Sequence, residues 1–276
     1  MSFFDRPLEA LCGGMPGIRK IKLGLLVTGE GERLQLQRLF RSLKRDFPEN
    51  ITVTVVKNIK QHSPRSGKKH QARLKALGTN KYVSTQDEAI GLAALGYLKN
   101  GDDHFTVLID DLEGGRVAQA AQVFDRYTAG LHAVVPSGMW PRASVHFLCN
   151  MLEAYFLADI DAVNTAFGVL LHNYQGDVET VSHPKNELKR MLAPAGINYK
   201  ETEHVGKVLQ QLNWDTVLAD PATCPSLRTL FAWVCHALGA VPLDGQGGAA
   251  RYRLNCGVFF PITGPQLETV LSCYGT

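Results

Sequence analysis

Two short apolar runs, each breaking off into acidic residues and glycine, constrain this chain more than any other feature. Residues 21–27 lead into Thr28-Gly29-Glu30-Gly31-Glu32, and residues 105–109 lead into Asp110-Asp111-Leu112-Glu113-Gly114-Gly115. An apolar run of this length bounded by turn residues reads as a strand buried on both faces, which is what a helix-covered parallel sheet requires. The β-branched stretch 51–56 and residues 144–148 read as two more strands, and 133–135 as a further short one. Between the strands, apolar residues return at helical spacing: Leu34, Leu36, Leu39, Phe40 and Leu43 until Pro48, then residues 86–98, 116–127 and 150–158. Ser84 or Thr85 can cap the second of these helices, with Glu88 three residues after Thr85 in a capping-box pattern. This alternation predicts an α/β fold with a mostly parallel sheet flanked by helices.

Beyond Asp159 the pattern turns helical, over residues 162–171, 184–192, 202–212 and 226–238. Pro184 suits the first turn of its helix because the missing amide hydrogen would be unpaired there, and Gly239 suits a helix stop. The expected organisation is an N-terminal extension (1–19), an α/β domain (20–160) and a mainly helical C-terminal subdomain (161–276), whose glycine-containing tail from 245 onward could return a strand to the sheet.

Six cysteines spread without a CxxC pair or zinc-finger histidine spacing read as reduced thiols. The N-terminal apolar residues are interrupted by Asp5, Arg6, Pro7 and Glu9, which fits neither a signal peptide nor a membrane span, so a cytoplasmic protein with no membrane partner is expected. A net charge of +3 does not by itself signal nucleic-acid binding, but its distribution is uneven. No Asp or Glu occurs over residues 50–86, which carry Lys57, Lys60, Arg65, Lys68, Lys69, Arg73, Lys75 and Lys81 around an exposed-loop sequence Ser63-Pro64-Arg65-Ser66-Gly67. Such cations provide phosphate contacts to DNA or RNA without reading sequence; a solvated loop or a dock for an acidic partner is the alternative.

Open α/β sheets bind ligands at the carboxyl ends of their strands, so the two acidic clusters are placed to meet in one crevice. Oxygen ligands favour Mg or Mn, and with them phosphate chemistry. Asp110, Asp111 and Glu113 supply the density of carboxylate that a divalent cation needs; equally, they could cap the helix that follows. Gly29 and Gly31 flank Glu30, so a sharp turn could aim Glu30 or Glu32 into the crevice. The segment is no dinucleotide fingerprint, since Leu34 stands where the third glycine belongs, and Ser66-Gly67-Lys68 lacks the upstream glycine of a P-loop.

The strand ending in Val27-Thr28-Gly29-Glu30-Gly31-Glu32, with the later Val107-Leu108-Ile109 and Asp110-Asp111-Leu112-Glu113-Gly114, resembles the TOPRIM fold of topoisomerases, primases and overcoming-lysogenization-defect nucleases. Leu152-Glu153-Ala154-Tyr155-Phe156-Leu157-Ala158-Asp159, His183-Pro184-Lys185 and Tyr199-Lys200 resemble a bacterial TOPRIM-like family of unknown function, often found beside ATPases in anti-phage defence loci. The likeness spans about residues 20–231. It implies a Rossmann-like TOPRIM domain and a Mg- or Mn-dependent nuclease, with Glu30, Glu32, Asp110, Asp111, Glu113 and Glu153 as catalytic residues. Of these, Glu32, Asp110, Asp111 and Glu113 would be the metal ligands. On the charge pattern Lys57, Lys60, Arg65, Lys68, Lys69 and Arg73 would hold nucleic acid, while the resemblance marks the segments of Lys185 and Lys200 as possible phosphate contacts and implies an ATPase partner. Thr28 and Ile109 stand where such nucleases carry carboxylates, which leaves a second expectation: a non-catalytic sensor or regulatory subunit that binds a partner protein or nucleic acid.

Overall fold

The computed structural model describes residues 19–28, 36–61, 74–75, 82–219 and 223–239. Four strands, β1 (Ile21–Val27), β2 (Ile51–Asn58), β5 (His104–Leu112) and β6 (Ala143–Cys149), form one sheet in the order β2-β1-β5-β6. Every pairing is parallel, with Val27 opposite Ile109 and Asp110 opposite Phe147. A separate two-stranded antiparallel ribbon joins β3 (Leu74–Lys75) to β4 (Tyr82–Val83).

This order contains a switch point. The chain steps outward from β1 to β2, then returns to lay β5 on the other side of β1, so the connections leaving β1 and β5 diverge and open a crevice at their carboxyl ends.

Residues of β5 and β6 are buried at every position, as strands covered on both faces must be. One face is covered by α2 (Thr85–Leu98) and α3 (Ala120–His132), with Phe124 edge-on to Phe147 at 6.2 Å. The two helices approach closely at Gly91 and Gly130: a methyl on Gly91 would lie 2.6 Å from the Gly130 carbonyl oxygen, and one on Gly130 2.7 Å from that of Asp87. A buried ion pair from Arg126 Nε to Asp87 at 2.9 Å ties the same helices together. Ser84 caps α2 by accepting the Asp87 amide at 3.1 Å.

The other face is closed by α9 (Pro225–Leu238). Its Trp233 packs edge-on to Phe105 at 6.3 Å and lies 5.8 Å from His146, while Phe231 stacks on Phe40 at 6.1 Å. Residues 36–39 are helical and continue into α1 (Arg41–Asp46). A helix from the C-terminal region thus forms part of the sheet's own core, and the apolar residues on both sides of residue 160 make a single buried cluster. The remaining helices are α4 (Ala154–Ala158), α5 (Ile160–Phe167), α6 (Pro184–Leu192), α7 (Glu201–Gln211) and α8 (Trp214–Ala219).

Several expectations are corrected. Residues 133–135 form no strand: Ala133 ends α3, and the amides of Val134 and Val135 bond back to the Leu131 carbonyl. The expected helix 116–127 is a 3₁₀ turn, Gly114–Gln119, followed by α3. The helix expected from 150 starts only at Ala154, because Asn150 and Met151 both take left-handed backbone conformations, φ 58° and 79°. The helix expected to reach residue 171 stops at Phe167, where Gly168 (φ 66°) turns the chain out of the helix. Among the described residues, no helix is long and apolar enough to cross a membrane.

Candidate functional site at the carboxyl edge of the sheet

Side chains alternate along a strand, so Thr28 just past β1 and Asp110 near the end of β5 project from the same face, toward α3. The Thr28 hydroxyl donates to Asp110 Oδ1 at 2.7 Å, bridging the switch point. Three more residues converge on that carboxylate. Tyr127, buried on α3, donates its hydroxyl to Oδ2 at 2.9 Å; Gln61, just past β2, donates from Nε2 to Oδ1 at 3.2 Å; and the Arg116 guanidinium forms a two-pronged ion pair with both oxygens. Gln61 and Arg116 also donate to the Asp111 carbonyl, at 2.9 and 2.7 Å. Asp110 is wholly inaccessible to solvent.

The chemistry of this donor set decides what Asp110 does. A carboxylate holding a divalent cation offers its lone pairs to the metal, yet here they are directed at four donors, one of them a cation. The residues around Asp110 therefore do not fit a metal ligand. Thr28 supplies a hydroxyl donor to Asp110 from the end of the neighbouring strand.

Asp111 points to the opposite face. Its Oδ1 accepts the Met151 amide at 2.9 Å and so helps hold the tandem left-handed turn after β6. The Asn150 amide bonds the Leu112 carbonyl at 2.8 Å, and its side-chain amide bonds the Glu179 carbonyl at 2.8 Å. Two successive non-glycine residues at positive φ cost of order 1 kcal/mol each or more, which these long-range bonds offset.

Glu153 directly precedes α4 and is buried, with Oε1 accepting the Tyr199 hydroxyl at 3.3 Å. Burial raises its pKa, as does Glu201, while Lys185 opposes the rise. The same burial, and Glu153 itself, push the Tyr199 phenol up, so it stays a hydrogen-bond donor. Lys185 pairs with Glu201 at 2.5 Å, and that bond raises its pKa, with Glu153 and Glu113 adding to the effect. Lys185 is thus the cation that Glu201 pairs with and that Glu153 and Glu113 also act on, Glu113 itself being exposed.

The other expected residues are distributed as follows. Lys57 and Lys60 are exposed at the carboxyl end of β2. Lys200 is exposed and pairs with Glu203 at 2.9 Å, one turn along its own helix. Asp159 caps α5, accepting the Ala162 amide and, at 2.8 Å, the Asn213 amide. Glu30, Glu32, Arg65, Lys68, Lys69 and Arg73 lie outside the described residues. Among the described residues, no group of three or more His, Cys, Asp or Glu side chains is arranged to hold a metal ion.

Sequence reasoning missed Arg116, Tyr127, Gln61 and Glu201, and gave Tyr199, part of a segment it singled out, no role. One signal pointed to the first two: a charged residue inside a fully buried strand needs a counter-charge and donors, and the next helical segment is the nearest source. Comparison with protein-family models, curated proteins and solved structures gives no match.

Proposed function

We propose that this chain is a TOPRIM-like nucleic-acid-binding module that works as a sensor or regulatory subunit without cutting the strand it holds. The observation that supports this is the Asp110 network: the central carboxylate of the acidic motif is satisfied from within by Arg116, Tyr127, Thr28 and Gln61. Phosphodiester binding would fall to the exposed cations Lys57 and Lys60 at the same edge and to Arg65, Lys68, Lys69 and Arg73, which follow in the sequence. An ATPase partner and a role in anti-phage defence follow from the family resemblance and belong to the same proposal.

The test is fluorescence anisotropy with labelled single-stranded and duplex DNA and RNA, paired with a cleavage assay in Mg and Mn. Binding should weaken with salt and with Lys57→Glu and Lys60→Glu, while the oligonucleotides stay intact. Cleavage that disappears in Asp110→Asn would refute this reading.

A second reading, a Mg- or Mn-dependent nuclease, follows from the family resemblance, with Lys185 near enough to Glu153 and Glu113 for their charges to raise its pKa. Its ligands would be Asp111, Glu113 and Glu153 with Glu30 or Glu32, and Asp110 would serve only as the partner of Arg116. Cleavage lost in Glu153→Gln but kept in Asp110→Asn would select this reading.

A further inference from the structure

Two arginines join the helical segment of residues 36–46 to α7. Arg38 donates from Nη1 to the Gly206 carbonyl at 3.4 Å, and Arg41 from Nη1 to the Gln210 carbonyl at 3.3 Å. The two contacts advance together along both helices, so the helices lie alongside each other and run the same way. Leu36, Leu39, Phe40 and Leu43 are buried, which turns Gln37, Arg41, Lys44 and Arg45 outward. On α7 Val205, Val208 and Leu209 are buried, and Lys207, Gln210 and Gln211 are exposed.

The joined surface is positive. No Asp or Glu occurs over residues 33–45. Arg38 and Arg41 donate to neutral carbonyls, and among the described residues no carboxylate pairs with Arg38, Arg41, Lys44 or Lys207. Glu203, one turn before Lys207, is held by Lys200 at 2.9 Å. Composition also selects the partner. The exposed side chains named above are cations and amides, and the exposed large apolar residues among the described ones, Leu92 and Leu170, lie on other segments. A protein partner is gripped through aromatic or aliphatic anchors at the centre of an interface, which this surface does not offer. Arg, Lys and Gln are side chains that meet phosphate oxygens. From Arg38 to Lys44 the helix axis advances about 9 Å, against about 3.4 Å per phosphate along one DNA strand, so a strand laid along the helix meets several of these cations.

We propose that the outward faces of the 36–46 helix and α7 form a second phosphate-binding surface, separate from Lys57 and Lys60, that holds the backbone of a nucleic acid without reading its sequence. The proposal rests on the reading of this chain as a nucleic-acid-binding module and gives it a longer footprint. Arg38 and Arg41 fasten the two helices to each other, and Arg41, Lys44 and Lys207 contact phosphate. Each contact displaces a condensed counterion, so the cations on both helices add to one salt-dependent affinity.

The experiment is a salt titration of the full-length protein with labelled single-stranded and duplex oligonucleotides, read by fluorescence anisotropy, in the wild type, Lys44→Glu and Lys207→Glu. Both side chains are exposed and make no hydrogen bond or ion pair among the described residues, so the variants should keep the wild-type melting temperature. Each should weaken binding about fivefold or more at roughly 0.15 M salt and reduce the salt slope by about one. Lys99→Glu, the same charge change at the exposed end of α2 on the other face of the sheet, should leave the slope unchanged. An unchanged slope in Lys44→Glu or Lys207→Glu, while Lys57→Glu weakens binding, overturns this surface and leaves the nucleic-acid reading standing. Oligonucleotide binding kept in both variants with loss of binding to a poly-glutamate peptide overturns it in favour of an acidic protein partner. A wild type that binds no oligonucleotide overturns both the surface and the reading it rests on.

Discussion

Asp110→Asn separates the two roles open to this carboxylate by the sign of its effect on stability in metal-free buffer. Asp110 is fully buried, and its partner Arg116 keeps only 16% of its side chain exposed. Removing one partner of a buried ion pair costs roughly 3–5 kcal/mol, because the other charge is left uncompensated. Arg116 retains the Asp111 carbonyl at 2.7 Å and some solvent, which places the cost near the lower bound, about 3 kcal/mol. The asparagine also turns an NH₂ group toward Tyr127, Gln61 or Arg116, all donors, so at least one bond of roughly 1 kcal/mol is lost as well. The total of about 3–4 kcal/mol corresponds to a fall in Tm of roughly 6–16 °C for a chain of this size. The assay is urea unfolding in EDTA at pH 7, followed by circular dichroism and tryptophan fluorescence, with the midpoint expected to fall at constant slope. A double-mutant cycle with Arg116→Met should give a coupling of about 2 kcal/mol, the double variant being less damaged than the sum of the singles. If Asp110 instead sat among mutually repelling carboxylates awaiting a metal, neutralising it would leave stability unchanged or raise it. Either outcome would refute the reasoning.

Three further expectations follow from the same structure. Gly91→Ala should gain about 1 kcal/mol of helix propensity but place a methyl 2.6 Å from the Gly130 carbonyl, and overpacking against backbone costs roughly 1–3 kcal/mol, so thermal unfolding should show net destabilisation. His146 is buried beside Trp233, and burial lowers its pKa from 6.5 to about 3. The unfolded chain therefore takes up a proton that the fold refuses, and stability falls as pH drops from 6.5 toward 3. Glu179 acts oppositely from 4.5 to about 7, so Glu179→Gln should unmask the His146 slope, steepening acid destabilisation there by about 1.4 kcal/mol per pH unit relative to wild type in pH-dependent urea titrations. Finally, Lys57→Glu and Lys60→Glu should each reduce the salt slope of oligonucleotide binding by about one, without favouring any sequence.

Where a local pattern decides an element, the sequence was readable. Pro184 at a first turn and the apolar spacing after it place α6 at Pro184–Leu192, and Ser84 caps α2 as one of two candidates proposed for that end. Elements decided by distant partners were not readable. Nothing local at Asn150 and Met151 forbids a helix; the left-handed turn exists because Leu112, Asp111 and Glu179, all far along the chain, bond to it. The carboxyl edge follows the same division. The sequence showed that Asp110 and Asp111 would stand at a strand end, but successive strand residues face opposite ways, and which cation or donor each meets is set by helix packing. Tyr127 lay within a segment legible as helix and Arg116 at its expected start, yet it takes the 3₁₀ turn at Gly114–Gln119 and the packing of α3 to bring them onto Asp110.

The most direct test of the account is calorimetric titration of Mn into the wild-type protein, with Asp110→Asn and Asp111→Asn beside it. The account predicts no Mn binding that depends on Asp110, since Arg116 already compensates that charge. Stoichiometric Mn binding in the wild type that is abolished by Asp110→Asn, in a variant that remains folded, would contradict it.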